Sequence, residues 1–262
     1  MRPKFANKKI GVDSPRTEEW IYGLNPVLEA MIGGRGVKAV YLSPGRHEKI
    51  VQIKREAEVL GIPVESADSS FFDSRFPKGH QGVAARVLQR GYVDIEDLLV
   101  IPLERKEVPL FVALDLIEDP RNFGAMLRSA DASGVHGVVI QSHRSATLGP
   151  EVSKSSAGAV EYVPVAVVPN IKHAIRRMKE EGITVVGAEA DAHTLLWDAD
   201  LTVPLCIVIG SESQGMRRTV REHCDVVAGL PMKGRINSLN ASVAAGIILF
   251  EILRQRFTKK LT

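Results

Sequence analysis

The sequence lacks the features that mark several large protein classes. Its two cysteines, Cys206 and Cys224, are too few for a disulfide framework, and no His or Cys spacing completes a metal site. The most apolar run, Val243 to Phe250, is far shorter than the ~18 residues that a membrane span needs. Basic residues near the start are not followed by the apolar segment of a secretory signal. We therefore expect a cytoplasmic protein with no metal and no membrane association.

Neither sign of charge dominates, since the formal net charge is only +3. Residues 211–262 nevertheless contain nine Lys or Arg against four acids, a local net charge of +5 that leaves −2 for the rest of the chain. A local basic excess is typical of a protein that binds a polyanion. Arginines scattered over a solvated helix face would give the same count, so both interpretations stay open.

The sequence does contain a regular alternation of short apolar runs and helical patterns. Six runs after Pro109 are nearly continuous, as expected for parallel strands that are buried on both faces: Leu110–Leu114, Val138–Ile140, Val163–Val168, Ile183–Val186, Leu205–Ile209 and Val226–Ala228. The clearest helix spans 170–181, with Asn170 as its cap and an apolar stripe of Ile171, Ala174, Ile175 and Met178. This alternation predicts an α/β fold with a mostly parallel sheet flanked by helices.

A smaller α/β unit precedes this sheet. Apolar runs at 37–42, 63–65 and 82–87 predict three strands, and helical patterns lie at 25–31 and 47–60, so we place a first domain at 19–90. The charged stretch 91–108 favours an interdomain linker, and 109–262 then forms the second domain. Residues 1–18 are polar and basic, and we expect a flexible arm there.

Two of the predicted strands end in loops that contain glycine. Leu205–Ile209 is followed by Gly210-Ser211-Glu212-Ser213-Gln214-Gly215, and the run that ends at Leu230 is followed by loop 231–237 and a long final helix. Glycine lets a ligand approach the backbone closely, and ligands of open α/β sheets bind at the carboxyl ends of strands. A simple turn before a helix at 214–223 would also explain Gly210 and Gly215.

Three motifs in this sequence resemble those of a known family. Asp119 to Asp131, Gly210-x-Glu212-x-x-Gly215 and Ser238-Leu239-Asn240-x-Ser242 look like the three motifs of the SpoU (TrmH-type) branch of the SPOUT RNA methyltransferases, in the same order. With Ile21-Tyr22-Gly23 near the start, the chain is most similar to the bacterial 23S rRNA guanosine 2′-O-methyltransferases (RlmB type), over roughly residues 20–256.

The resemblance implies a fold, a cofactor and partners. In such proteins the C-terminal domain forms a trefoil knot, and the small N-terminal domain is similar to the L30e RNA-binding fold. The implied methyl donor is S-adenosyl-L-methionine, and the implied substrate is RNA, with 23S rRNA favoured. Relatives are homodimers with the active site near the subunit boundary, so we expect a homodimer.

The resemblance also implies which residues form the cofactor pocket. It assigns backbone contacts with the adenosine part to Gly210, Leu230 and Leu239, and it places Ile209, Met232 and Ser238 beside them. We expect glycine at 210 because a side chain there would block the ring. Many relatives carry glycine where this chain has Ser213, which would be strained if that position required a positive φ.

The family motif places Arg128 at the substrate hydroxyl. A guanidinium stays protonated at any ordinary pH. We therefore expect Arg128 to stabilise the developing alkoxide, or to bind the neighbouring phosphate, rather than to accept a proton. On an isolated helix, an exposed Arg paired with Asp131 or a neighbouring acid would be the preferred interpretation.

Asn122, Glu212 and Asn240 complete the candidate catalytic set. Asn122 begins a predicted helix, where it would act as the N-cap, and its amide would also suit the substrate. Glu212 would orient Arg128 or the nucleotide, or simply favour a helix start as an acid. Asn240 is predicted in the first turn of the final helix, with Ser238 as the cap, so its side chain would be available to the pocket.

Three functions are compatible with these patterns. The first is methylation of a guanosine 2′-hydroxyl in 23S rRNA, and the second is the same reaction on tRNA. The separate N-terminal unit favours rRNA, because many tRNA-modifying relatives lack such a module. The third is a dinucleotide-dependent enzyme or a non-catalytic RNA-binding protein on a similar sheet. It is disfavoured because no G-x-G-x-x-G follows a strand and because the cofactor loops would have no use.

Overall fold

The computed structural model describes residues 17–44, 48–235 and 237–261. The basic arm predicted at 1–18 lies outside the described residues as far as position 16. The described chain divides into two compact units. The first joins the residues up to Gly91 with Leu148–Tyr162, and the second joins Tyr92–Thr147 with the residues from Val163 onwards.

The elements before residue 92 build one four-stranded sheet and its helices. They are β1 (Glu18–Tyr22), α1 (Leu24–Ile32), β2 (Val37–Leu42), α2 (Glu48–Leu60), β3 (Val64–Ser66), α3 (Ser69–Arg75) and β4 (Val83–Leu88). The strand order is β1-β4-β2-β3, with β4 antiparallel to β1 and β2, and β3 parallel to β2. The three strands predicted from apolar runs are confirmed, whereas β1 and α3 were not predicted.

The remaining elements belong mostly to the second unit. They are α4 (Ile95–Arg105), β5 (Leu110–Asp115), α5 (Pro120–Ser133), β6 (Gly137–Gln141), α6 (Pro150–Ser155), β7 (Val165–Val168), α7 (Ile171–Glu180), β8 (Thr184–Ala188), β9 (Thr194–Leu195), β10 (Leu205–Gly210), α8 (Arg218–Arg221), β11 (Val226–Gly229) and α9 (Ala241–Leu261). Two short 3₁₀ helices add Ala159–Glu161 and Leu196–Asp198.

The second sheet has seven strands in the order β7-β6-β5-β10-β8-β11-β9, and every pairing is parallel. The predicted α/β class, with a mostly parallel sheet flanked by helices, is confirmed. Strand β10 lies between β5 and β8 and is buried along its whole length. Cys206 in this strand is a fully buried free thiol, and burial raises its pKa.

The helix predicted most clearly from its apolar stripe forms as α7. The Asn170 side chain accepts a hydrogen bond from Lys172 N at 3.0 Å and caps the helix. The predicted stripe is buried: Ile171, Ala174, Ile175 and Met178. Gly182 follows the helix with a φ of 74°, a conformation that glycine adopts without strain.

The stretch 91–108, predicted to be a linker, contains helix α4. Four apolar residues at helical spacing form its inner face: Ile95, Leu98, Leu99 and Pro102. Leu98 is fully buried in the core of the second unit beside Phe111. The charges that favoured a linker lie on the outer face, where Glu96 accepts two hydrogen bonds from Arg177 at 2.8 and 2.9 Å. A charged amphipathic helix therefore resembles a linker when only its composition is considered.

Residues 148–162, predicted as part of the second domain, fold with the first unit. Arg35, which follows α1, is buried and contacts this segment through Glu161, to which its Nη1 donates a hydrogen bond at 2.8 Å. Its Nε donates to the carbonyl of Leu88 at 2.8 Å. It also pairs with Glu19, and Arg90 lies 3.5 Å from the Glu161 carboxylate. This buried network joins α1, the first sheet and the 3₁₀ helix Ala159–Glu161. Arg35 and Glu161 lie 126 positions apart in sequence, so no local pattern predicts their ion pair.

Candidate functional site

A cavity of about 230 Å³ lies in the second unit, where β8, β10 and β11 end. The loops that follow these three strands and the first turns of α9 line it. All six residues that the resemblance assigned to the cofactor are among the lining residues: Ile209, Gly210, Leu230, Met232, Ser238 and Leu239. The parallel strands explain this convergence, because their carboxyl ends meet at the same edge of the sheet.

Gly210 is required by the packing of its own loop. A Cβ atom at this position would lie 2.1 Å from the carbonyl carbon of Gly215 and 2.2 Å from the nitrogen of Met216. This contact with the backbone of the returning loop is one reason for glycine, and the expected reason, room for a ligand ring, stays a prediction. Gly215 is the residue of this loop with a positive φ, of 63°. The φ of Ser213 is not positive, so its backbone is not strained. The helix predicted at 214–223 is confined to α8.

The loop after β10 is held at its far end by two acids that the sequence patterns did not single out. Asp115, fully buried at the end of β5, accepts hydrogen bonds from Arg217 N at 2.8 Å and Arg217 Nε at 2.9 Å. Glu189, directly after β8, accepts one from Met216 N at 2.8 Å. The sequence could have indicated both acids, because each lies at the carboxyl end of a buried strand of a parallel sheet, where ligands usually bind.

Asn122, Glu212 and Asn240 form one hydrogen-bonded cluster. Glu212 Oε1 accepts from Asn122 Nδ2 at 2.7 Å, from Asn240 Nδ2 at 2.7 Å and from Ala241 N at 3.2 Å. Asn240 Nδ2 also lies 3.0 Å from Asn122 Oδ1. Because Glu212 lines the cavity, the cluster lies at its edge. Three of the four predicted catalytic residues therefore lie in contact with one another, although Asn122 and Glu212 are 90 positions apart in sequence.

The caps of both helices at this cluster differ from the predictions. Helix α5 is capped by Asp119, whose carboxylate accepts from Arg121 N at 2.8 Å, so the prediction that Asn122 caps it is wrong. Helix α9 begins after Asn240, whose Oδ1 accepts from Ser242 N at 2.9 Å and Val243 N at 3.2 Å. The prediction that Ser238 caps α9 is therefore also wrong. The side-chain amide of Asn122 does not cap a helix. Asn240 caps α9 with its Oδ1, while its Nδ2 donates hydrogen bonds within the cluster.

Arg128 lies apart from this cluster. It is exposed on α5, two turns beyond Asn122, and is not among the residues that line the cavity. The alternative pairing of Arg128 with Asp131 stays a prediction. The chain thus presents Arg128 as an exposed cation.

Much of the basic excess at 211–262 is engaged within the chain. Arg217 pairs with Asp115, Arg254 with Glu251, and Arg256 donates to backbone carbonyls that include those of Val108 and Pro109. Burial lowers the pKa of Arg256. Lys233 and Arg235 are exposed in the loop between β11 and α9, next to the cavity. The surface available to a polyanion is therefore smaller than the charge count indicates.

Comparison with known proteins identifies the family. Residues 109–250, more than half of the chain, match the model of the SpoU rRNA Methylase family. This chain belongs to the SpoU methylase family. Residues 20–93 match a second model, described as RNA 2′-O ribose methyltransferase substrate binding. The family predicted from the three motifs is confirmed.

Individual relatives of this SpoU methylase cover nearly its whole length. The 23S rRNA (guanosine-2′-O-)-methyltransferase RlmB of Pseudomonas aeruginosa is 44% identical over 91% of this chain and 97% of its own. The Bacillus subtilis protein YacO, named for the TrmH family of tRNA/rRNA methyltransferases, is 38% identical over 91% and 96%. The crystal structure of AviRb from Streptomyces viridochromogenes with AdoMet superposes with a TM-score of 0.77, at 27% identity over 95% and 96%.

Among the described residues, no helix is long and apolar enough to cross a membrane. No group of three or more His, Cys, Asp or Glu in the described part of the chain is arranged to hold a metal ion.

Proposed function

We propose that this protein methylates the 2′-hydroxyl of a guanosine in 23S rRNA with S-adenosylmethionine as the methyl donor. The observation that carries the proposal is the cavity at the ends of β8, β10 and β11, with the cluster of Asn122, Glu212 and Asn240 at its edge. A pocket for the donor beside polar groups for the nucleotide is what the reaction needs. Family membership and the relatives named for this reaction support the assignment.

The residues of the cavity fit S-adenosylmethionine. The apolar side chains of Ile209, Leu230 and Leu239 suit the adenine ring, and Gly210 and Gly229 also line the cavity. Two carboxylates, those of Glu189 and Glu212, suit a ligand that carries positive charge. The bound donor supplies a methyl group on a sulfonium; the protein's own residues position the two reactants.

Arg128 is the proposed catalytic cation. Negative charge develops on the 2′-oxygen during methyl transfer, and a fixed guanidinium beside that oxygen stabilises it. The amide of Asn122 and the carboxylate of Glu212 orient the nucleotide. Exposed Lys233 and Arg235 then contact the RNA phosphates.

A homodimer brings Arg128 to the active site. On α9, Val243, Ile247, Phe250 and Phe257 recur at helical spacing on one face and are 40–61% exposed. A contiguous exposed apolar face is typical of a protein–protein interface. We propose that a second copy covers this face and that Arg128 acts near the subunit boundary. Sedimentation equilibrium should then give twice the chain mass of 28.6 kDa, and a monomer would contradict this part of the proposal.

The finer features of the fold belong to the same proposal. The C-terminal segment forms a trefoil knot, which is supported by the two loops after β10 and β11 meeting at one cavity. The domain predicted at 19–90 has an L30e-like fold and binds the RNA substrate, which is supported by the family match at 20–93. The cytoplasmic location expected from the sequence stays a prediction.

The experiment that tests the function is methyl transfer from labelled S-adenosylmethionine to unmodified ribosomal and transfer RNA, followed by mapping of the modified nucleotide. We expect a single ribose-methylated guanosine in 23S rRNA. Methylation of tRNA alone would show that the substrate is tRNA and not 23S rRNA. Calorimetric binding of NAD but not of S-adenosylmethionine would reject both methyltransferase assignments.

The role of Arg128 is tested with Arg128→Ala. Turnover should fall by at least about 100-fold because a transition-state contact is lost. The Kd of S-adenosylmethionine should change little, since Arg128 does not line the cavity. Arg176→Ala, at an exposed arginine of α7, is the matched control and should keep full activity. Parallel loss of turnover and donor affinity would show that Arg128 has a structural role.

A further inference from the structure

We infer that Glu189 makes the cavity prefer the positively charged methyl donor over the reaction product, S-adenosylhomocysteine. The inference rests on the proposed function, because it concerns the donor that this function requires. The two ligands share the adenosine and amino-acid parts. They differ in the transferred methyl group and in the positive charge of the sulfonium, which the product's thioether lacks.

The position of Glu189 places a carboxylate in the cavity wall. Glu189 directly follows β8 and is one of the residues that line the cavity. Its Oε1 accepts a hydrogen bond from Met216 N at 2.8 Å. A Cβ atom added to Gly215 would lie 2.9 Å from Glu189 Oε2, so both oxygens lie against the loop after β10. The hydrogen bond and the packing hold the carboxylate in one orientation.

The charges of the cavity wall are of one sign. Among the described lining residues, Glu189 and Glu212 are acidic and none is Lys, Arg or His. Arg217, which follows the same loop, pairs with Asp115 instead. The electrostatic potential of the cavity is therefore expected to be negative and to favour a cationic ligand.

The two acids differ in how much of their hydrogen-bonding capacity the protein already uses. Glu212 accepts from two amide groups and from the backbone of Ala241. Among the described residues, the side-chain carboxylate of Glu189 accepts a hydrogen bond from Met216 N alone. A carboxylate offers about four acceptor positions, so Glu189 keeps most of its capacity for a ligand. This difference singles out Glu189 as the acid that acts on the donor.

A single charge is enough to produce a measurable preference. At a separation of roughly 6 Å and an effective dielectric constant of about 20, one carboxylate favours a cation by about 100-fold, and screening by solvent lowers this towards about tenfold. The product would then leave more readily than the donor, which would limit product inhibition.

The test compares the binding of three ligands to the full-length protein and to Glu189→Gln by calorimetry. Glutamine retains an acceptor for Met216 N but removes the charge. The ratio of the Kd of S-adenosylhomocysteine to that of S-adenosylmethionine should fall by about tenfold. Sinefungin, which carries an ammonium group in place of the methylated sulfonium, should lose affinity together with S-adenosylmethionine.

Two further variants separate charge from structure. Glu189→Asp keeps the charge and should keep the preference close to that of the wild type. Asp191→Asn removes an equal charge from an exposed position that does not line the cavity, and it should leave the ratio unchanged.

An unchanged ratio in Glu189→Gln, with or without an equal loss of affinity for all three ligands, would overturn this inference alone. Such a result would assign Glu189 to the support of the loop. A wild-type protein that binds neither S-adenosylmethionine nor S-adenosylhomocysteine would overturn the proposed function, and this inference with it.

Discussion

The two units of the chain use similar elements for different purposes. In the second unit all seven strands are parallel, so their carboxyl ends share one edge, and the loops that follow β8, β10 and β11 line a common cavity. In the first unit β4 runs antiparallel to its neighbours, so strand ends are distributed over both edges of the sheet. The parallel arrangement concentrates a binding site, whereas the mixed sheet does not by itself favour one edge.

The interiors of the two units also differ. Six of the chain's aromatic residues pack together on one face of the first sheet: Trp20, Tyr22, Tyr41, Phe71, Phe72 and Phe76. The first unit also contains the ion pairs around Arg35. The core of the second unit consists mainly of aliphatic side chains. We therefore expect substitutions in the first unit to change stability, and substitutions at the loops of the second unit to change ligand binding.

The largest effect is expected for Gly210→Ala. The added methyl group would lie 2.1 Å from the carbonyl carbon of Gly215, and because that atom belongs to the backbone, the whole loop must move. The Kd of S-adenosylmethionine should rise by at least about 100-fold, as measured by calorimetry. Gly91→Ala is the matched control, since a Cβ atom there meets no atom within 4 Å. Donor affinity close to that of the wild type would contradict the assigned packing.

An effect on stability rather than on binding is expected for Arg35→Ala. The substitution leaves the carboxylate of Glu161 buried with its strongest partner removed, which costs about 3–5 kcal/mol of unfolding free energy. Urea denaturation measures this loss. Arg86→Ala removes an exposed ion pair with Glu18 and should cost less than about 1 kcal/mol.

The Arg35 variant also tests the division between the units. The Kd of S-adenosylmethionine, measured on the folded Arg35→Ala protein, should equal that of the wild type. A large change would mean that the ion pairs of the first unit also determine the shape of the donor cavity.

The smallest effect is expected from the titration of His136 in the second unit. His136 is 2% exposed, and its burial lowers its pKa despite the neighbouring carboxylate of Glu107. A lowered pKa means that the unfolded chain binds the proton more readily than the folded one. Stability should therefore be complete above pH ~6.5 and decline as the pH falls below that value.

The measurement for His136 is the melting temperature between pH 7.5 and 5.5. In the wild-type protein, Leu110 N donates a hydrogen bond to His136 Nδ1 at 3.1 Å. The His136→Asn variant retains an acceptor for this bond, but its side chain does not titrate between pH 7.5 and 5.5. The decline on acidification should be smaller in this variant. An identical decline in both proteins would exclude His136 as its cause.

A good part of the candidate site could be predicted from the sequence. Glycine-bearing loops after buried strands located the cavity, and the motif resemblance named Asn122, Glu212 and Asn240 before their contacts were known. Asp115 and Glu189 were missed because an acid after a strand is a weak signal without its partner. Their hydrogen-bond donors, Arg217 and Met216, lie 102 and 27 positions further along the chain.

What the amino-acid sequence determined by itself was local: the period of the apolar residues set the strands, and the motif order set the family. The tertiary structure decided which distant groups are neighbours. It placed α4 in the core of the second unit, joined Leu148–Tyr162 to the first, and left Arg128 outside the cavity. The physical reason is that strand and helix patterns repeat over a few residues, whereas burial of an ion pair or closure of a loop depends on surfaces that only the folded chain brings together.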